Sequence, residues 1–147
     1  YFIVDLVVTR NHLYEVIPVL HKQWSLSVEI KLKSGIVDDW SNIIRVGLDG
    51  RYGVPVYGYV PVYGDRTPAI MVKPHTTKLL IISSVNGNRY YKTYTDDIAI
   101  NEWTKVDISQ ILQSDGYHYM ISIDGNVLVD VINTDPGEFR HVKVSCS

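Results

Sequence analysis

Between residues 24 and 33 the chain alternates without a break. Trp24, Leu26, Val28, Ile30 and Leu32 fall on one side and Ser25, Ser27, Glu29, Lys31 and Lys33 on the other. Successive side chains of an extended backbone point to opposite faces, so this period of two predicts a half-buried antiparallel strand. Other runs read the same way. Residues 1–9 are apolar and β-branched, a strand buried on much of both faces. Residues 13–20 are apolar but broken by Pro18, which lacks the ladder donor and points to a sheet edge or a bend. Residues 40–48, 69–72 and 78–85 are strands, and Asn86-Gly87 supplies the positive φ angles of a type I′ hairpin into residues 89–94. Residues 102–109 alternate again, residues 111–116 form a polar connection, and Tyr117, Tyr119, Ile121 and Ile123 share one face of the next strand. Asp124-Gly125 turns the chain into residues 127–132, and Asp135-Pro136-Gly137 turns it into a last strand over 139–145.

That makes about ten or eleven strands with turn signals every eight to twelve residues, the pattern of β-sandwiches and barrels. No segment keeps a helical period over three turns. The expected fold is all-β, a two-sheet antiparallel sandwich. Trp24, Trp40 and Trp103 sit on separate strands and are expected to fill the space between the sheets, with Leu26, Val28, Ile30, Tyr119, Ile121 and Ile123.

One stretch breaks the pattern. Residues 49–68, DGRYGVPVYGYVPVYGDRTP, carry four tyrosines, three prolines and four glycines, and hold a tandem copy, VPVYGY then VPVYGD. Proline and glycine disfavour strand interiors, so the segment reads as a long ordered loop on a β scaffold, where binding commonly resides. Tyrosine offers a flat ring and a hydroxyl at low entropic cost, which suits a sugar or a protein surface. Arg51, Tyr52, Tyr57, Tyr59, Tyr63 and Arg66 are therefore the candidate ligand-binding residues. The alternative is a flap whose tyrosines pack down over a sheet edge. For Asp65 and Arg66 the preferred reading is structural, an ion pair fixing the loop base.

Composition narrows the function. At 147 residues and 46% hydrophobic, the chain suits one domain with its own core. A net charge of -2 without a basic stripe gives nucleic-acid binding no electrostatic basis. No apolar run approaches the roughly 18 residues of a membrane span. Cys146 is the only cysteine, so no disulfide forms within the chain; it suits an intermolecular bridge or a plain free thiol. The five histidines, His12, His21, His75, His118 and His141, show no metal-ligand spacing, and phosphate-binding glycine loops are absent. No catalytic constellation emerges, and no cofactor is expected. Asp38, Asp39, Asp65, Asp96 and Asp97 are loop acids that serve as turn caps; calcium, which takes six to eight oxygens from such loops, is the alternative.

The order of several short words carries a resemblance. WSNII (residues 40–44), YGDRTPAI (63–70), SSVNGNRYY (83–91), NEWTKVDISQ (101–110), YHYMISIDGNVL (117–128) and FRHVKVS (139–145) resemble the concanavalin A-like, laminin-G-like jelly-roll modules of large extracellular proteins. The resemblance covers residues 24–145. It implies a single jelly-roll domain over 1–147, a piece of a larger protein, extracellular and non-enzymatic, used in adhesion or glycan recognition. Its partners would be a glycan or an extracellular protein. Two alternatives stand beside it. One is a structural subunit of an extracellular polymer, with neighbouring modules or further copies of the chain engaging its edges and Cys146. The other is a glycoside hydrolase on the same fold, which needs two facing carboxylates that Glu15, Glu29, Glu102 and Glu138 do not supply in a strand motif. The resemblance also departs from its pattern: the modules continue past FRHVKVS into a closing strand, and the VPVYGY insertion is longer than usual.

Overall fold

The computed structural model of the protein describes residues 12–33, 38–48 and 62–146. The strand expected over residues 1–9 lies outside them. Ten strands follow in order: β1 (His12–Leu20), β2 (Trp24–Lys31), β3 (Ser41–Gly47), β4 (Ala69–Val72), β5 (Lys78–Val85), β6 (Asn88–Asp97), β7 (Trp103–Gln113), β8 (Gly116–Ile123), β9 (Asn126–Asn133) and β10 (Phe139–Cys146). They form two antiparallel sheets, a larger one in the order β1-β10-β3-β4-β5-β6 and a smaller one in the order β2-β7-β8-β9. The protein is a two-sheet β-sandwich, as the alternation of its strands predicts. The chain changes sheets between β1 and β2, β2 and β3, β6 and β7, and β9 and β10. Pro18 lies in β1, the outermost described strand of the larger sheet, where a missing ladder donor costs least.

The core is the space between the sheets. Ile30, Ile44, Ile70, Leu79, Ile81, Val85, Val106, Ile108, Tyr119 and Ile121 pack there, with Trp24, Leu26, Val28 and Ile123 against them partly buried. One polar pair is built into it: the Tyr119 and Ser83 hydroxyls lie 2.6 Å apart, and Tyr91 meets the Tyr119 ring edge-on at 5.9 Å. Burial pushes the Tyr119 hydroxyl pKa far up, with the Ser83 bond opposing the shift, so the ring stays neutral. At one end of the sandwich a chain of amides joins the sheets. Asn133 Nδ2 donates to Gln110 Oε1 at 2.7 Å, Gln110 Nε2 donates to the Lys22 carbonyl at 2.7 Å, and the Asn86 N–H donates to Asn133 Oδ1 at 2.9 Å.

Two of the expected core tryptophans are on the surface. Trp103 is 64% exposed and Trp40 45% exposed, the latter just before β3 begins. The phase of β7 explains Trp103. Val106 and Ile108 face the core, and residues at odd numbers alternate outward, so Trp103 shares the outer face with Lys105 and Asp107. The polar connection expected over residues 111–116 is also shorter than read: β7 continues to Gln113, paired with Gly116 across a tight turn. The two hairpin signals hold. Asn86 and Gly87 have φ of 55° and 73°, and Asp124 and Gly125 have φ of 49° and 80°, as type I′ turns require. The last strand expected from sequence, β10, is interior, between β1 and β3, and not an open edge.

Ile121 is fully buried between the sheets. Ile121→Ala is expected to cost about 2–5 kcal/mol of unfolding free energy in chemical denaturation. A loss below about 0.5 kcal/mol, the size of a surface effect, would place β8 outside the core.

Candidate functional site

The sandwich has two ends, and its chemistry divides between them. One end holds the return of the tyrosine-rich segment into β4. Arg51, Tyr52, Tyr57 and Tyr59 lie outside the described residues; Tyr63, Asp65 and Arg66 lie within them. The segment from Val62 to Pro68 is bound tightly to β3. Val46 N–H donates to the Pro68 carbonyl, Thr67 N–H to the Val46 carbonyl, and Leu48 N–H to the Gly64 carbonyl, at 2.8, 2.8 and 3.2 Å. The approach is so close that a Cβ on Gly47 would collide with the Asp65 backbone. Asp65 is buried, and its carboxylate accepts the Val62 N–H at 2.6 Å. Arg45 Nε donates to the Asp65 backbone carbonyl at 3.0 Å, so this contact ties the loop base to β3 without using the carboxylate. Arg66 instead lays its guanidinium 5.3 Å from the centre of the Tyr90 ring, which Arg89 also approaches, at 5.4 Å.

Tyr63 is committed as well. Its hydroxyl donates to the Asp135 carbonyl at 2.6 Å and its ring lies 6.1 Å from that of Phe139. Partial burial and the nearby Asp135 carboxylate raise its hydroxyl pKa. Of the six candidate ligand-binding residues, the two that the structure describes are thus a strut and a ring-stacked cation at the foot of the segment.

The other end is different. Here the end of β6, the start of β7 and the β8–β9 hairpin enclose a cleft of about 360 Å³. Asp96, Asp97, Glu102 and Asp124 line it together with Trp103 and an apolar wall that includes Ile98, Val127 and Leu128. Its shape is held by two clamped turns. Asp97 Oδ1 accepts both the backbone N–H and the hydroxyl of Thr77 at 3.0 Å. Asp124 Oδ1 accepts the Lys105 N–H at 2.8 Å while the Asp124 N–H donates to the Lys105 carbonyl at 2.8 Å. Leu32 bridges to Ile100 beneath. A register shift at Ile121/Ser122 in the β8–β9 ladder sits beside Val127 and Leu128, which are both exposed. The Trp103 ring is approached by the Lys31 ammonium at 5.7 Å.

From the sequence, Asp96 and Asp97 are loop acids, Asp124 is a turn residue, Glu102 is one of four glutamates without a hydrolase motif, and Trp103 is expected in the core; the cleft brings all five together. The signal that locates this site is the phase of Trp-Thr-Lys-Val-Asp-Ile, in which the valine and isoleucine, not the tryptophan, set the inward face. As for calcium, the five acids do not converge. Asp65 is at the loop end, Asp39 accepts the Trp40 N–H at 2.8 Å, and Asp38 stands 3.9 Å from His75. Among the described residues no group of three His, Cys, Asp or Glu side chains is placed to hold a metal ion. Cys146 is buried, its thiol 3.6 Å from the Asn42 carbonyl, and burial raises its pKa. A bridge to another chain would require the end of β10 to open.

On the outer face of the smaller sheet His118 is held from both sides, Nε2 to Asp115 at 2.6 Å and Nδ1 to Asp130 at 2.7 Å. Both ring nitrogens are occupied, so this is a clamp between the β7–β8 turn and β9 and not a general base. No protein-family model matches the chain, and comparison with curated proteins gives no match.

Two expectations follow from this geometry. Tyr63→Ala removes a hydrogen bond and a ring contact, and is expected to lower unfolding free energy by about 1–3 kcal/mol, read by denaturant titration. The His118 hydrogen bonds to Asp115 and then Asp130 raise its pKa above the ordinary 6.5, and the same bond lowers that of Asp115 below 3.8. The stabilisation from the charged pair is thus present between the ordinary values of 3.8 for Asp115 and 6.5 for His118, is lost as pH rises through the higher folded value of His118, and is lost as pH falls through the lowered folded value of Asp115. An NMR titration should give a His118 midpoint above 6.5, and the wild type should lose melting temperature relative to His118→Gln as pH rises beyond that midpoint. A midpoint at or below 6.5 contradicts the clamp.

Proposed function

We propose that this chain is a non-catalytic extracellular recognition module of jelly-roll type, and that it takes a carbohydrate in the Trp103 cleft. The observation that carries this reading is Trp103 itself, a large aromatic side chain left 64% exposed at a concave site beside carboxylates. Exposed aromatics with convergent polar groups mark binding sites more than they serve stability. The indole provides a flat apolar platform for the C–H face of a pyranose, and the carboxylates accept hydrogen bonds from its hydroxyls. The jelly-roll assignment is supported by the repeated crossing between sheets and by β10 lying between β1 and β3.

A glycan array probed with and without calcium, followed by calorimetry on the best binder, tests this. Trp103→Ala is expected to weaken binding at least about tenfold, equivalent to about 1.4 kcal/mol, at unchanged melting temperature. Unchanged affinity in the variant moves the site elsewhere. Release of reducing ends from the bound glycan would turn the module into a hydrolase.

A further inference from the structure

We infer that the outer edge of β6 is a docking surface for an extended acidic peptide, which joins the larger sheet there as an added strand. This surface is separate from the Trp103 cleft and does not depend on the carbohydrate reading.

β6 is the outermost described strand of the larger sheet on the side away from β1. Each strand turns its backbone N–H and C=O groups alternately to its two sides. The groups of β6 that point away from β5 therefore have no partner strand among the described residues. The Tyr90 N–H is taken by Asn88 Oδ1 at 2.9 Å. Beyond it, from Tyr91 to Tyr94, the ladder to β5 is regular, with register shifts only on either side. This regular stretch is made of tyrosine, lysine and threonine, and its aromatic and β-branched residues favour extended backbone.

Four cations gather along the same edge, and two of them come from other parts of the chain. Arg89 and Lys92 belong to β6 and are exposed. Arg66, from the segment that leads into β4, lies 5.3 Å from the centre of the Tyr90 ring, with Arg89 at 5.4 Å. Lys73, just after β4, reaches past β5 to the ring of Tyr94 at 5.3 Å. None of the four side chains makes an ion pair among the described residues. A charge that only keeps other strands off an edge does so from the edge strand itself. Here two further segments deliver cations to the rings of that strand, where the ring faces hold them. From Tyr90 to Tyr94 the row spans about 13 Å at the usual strand rise. Asp96 and Asp97 end it on the side of the Trp103 cleft.

An acidic peptide answers both features at once. Its backbone completes the ladder of β6, and its carboxylates accept charge-assisted bonds from the cations of the row. An anionic polysaccharide or a nucleic acid answers the charge and leaves the backbone groups unpaired. The rings on which a sugar or a base would stack are already faced by cations. A second copy of the chain answers the backbone but brings its own cations against this row, and like charges opposed across a ladder are unfavourable.

The test is calorimetric titration of the intact chain with an octapeptide that alternates glutamate and threonine. Three controls run beside it: the same peptide with lysine in place of glutamate, the same peptide with its backbone nitrogens methylated throughout, and dextran sulfate. In low salt the glutamate peptide is expected to bind at least about tenfold more tightly than the lysine peptide or the methylated one. In about 0.5 M salt, where exposed charges are screened within about 4 Å, the margin over the lysine peptide should shrink. Lys92→Glu, at an exposed side chain without a bonded partner, should remove the preference for glutamate, and Trp103→Ala should leave it unchanged. Failure of the glutamate peptide to bind overturns the inference, as does equal binding of the lysine peptide. Equal binding of the methylated peptide overturns strand addition, and binding of dextran sulfate alone gives the row to a polysaccharide instead. A preference that survives Lys92→Glu, or that Trp103→Ala abolishes, overturns the placement on β6. Sedimentation that shows a dimer broken by Lys92→Glu gives the edge to a second copy and overturns the peptide assignment.

Discussion

Two hydroxyl groups fix how the sheets of this protein face one another. Tyr119 of β8 reaches across the core to Ser83 of β5, and both groups are fully buried. A hydroxyl taken out of water without a partner costs on the order of 1–3 kcal/mol, so each side of the pair needs the other. That need sets the phase of the smaller sheet. With Tyr119 inward, Ile121 is inward; their partners across the ladder, Gln110 and Ile108, are inward with them. Counting back along β7 by twos keeps Val106 and Thr104 in the core and leaves Trp103 outside. The exposed tryptophan is therefore a consequence of core register. It is not a loose residue at a frayed strand end, since it is paired directly with Lys31 of β2.

The two ends of the sandwich spend their polar groups differently. At the tyrosine end the carboxylate of Asp65, the hydroxyl of Tyr63, the guanidinium of Arg45 and the amides of Asn86, Gln110 and Asn133 all bond to the protein itself. Such a network gives order, and it occupies these groups within the protein. Gly47 belongs to the same arrangement, because only a residue without Cβ lets the Asp65 backbone come so near to β3. At the cleft end Asp97 and Asp124 bond through one carboxylate oxygen each, and the Asp96 and Glu102 side chains make no hydrogen bond among the described residues. The contrast is between groups whose partners are internal and groups whose partners are water, and only the latter can exchange water for ligand at low cost.

Much of the fold could be read from the chain, for physical reasons that also explain the misses. Alternation in residues 24–33 and the dipeptides Asn86-Gly87 and Asp124-Gly125 are local signals, and local signals fix strands and turns. The sandwich follows because two half-apolar sheets bury their apolar faces against each other. Size and hydrophobicity alone place Trp103 in the core, whereas in a strand parity decides, and it puts Trp103 on the outer face. The cleft was invisible for another reason. Its walls come from β6, β7 and the β8–β9 hairpin, and Asp96 meets Asp124 only through tertiary structure. The partners of His118 show the same limit: Asp115 is three residues away, but Asp130 arrives through the β8–β9 ladder. Of the tyrosines of residues 49–68 that composition singles out, Tyr63 is engaged within the protein, and Tyr52, Tyr57 and Tyr59 lie outside the described residues.

The turn clamps give the cleft a property that a loop site would lack. Asp97 holds the connection before β5, and Asp124 holds the β8–β9 hairpin against Lys105 in a two-bond ring. Each uses Oδ1 for these bonds. The orientation of the Asp97 and Asp124 carboxylates is thus fixed in the folded protein, and the entropy of ordering these two is already spent in folding. The arrangement also carries a cost: negative charges held near one another oppose folding by mutual repulsion, which salt or a bound cation relieves. A ligand that neutralises them stabilises the folded state by binding to it alone. The acids at this end of the sandwich therefore bear on stability through a repulsion that salt screens, whereas at the tyrosine end the polar groups contribute to stability through bonds the protein has already made.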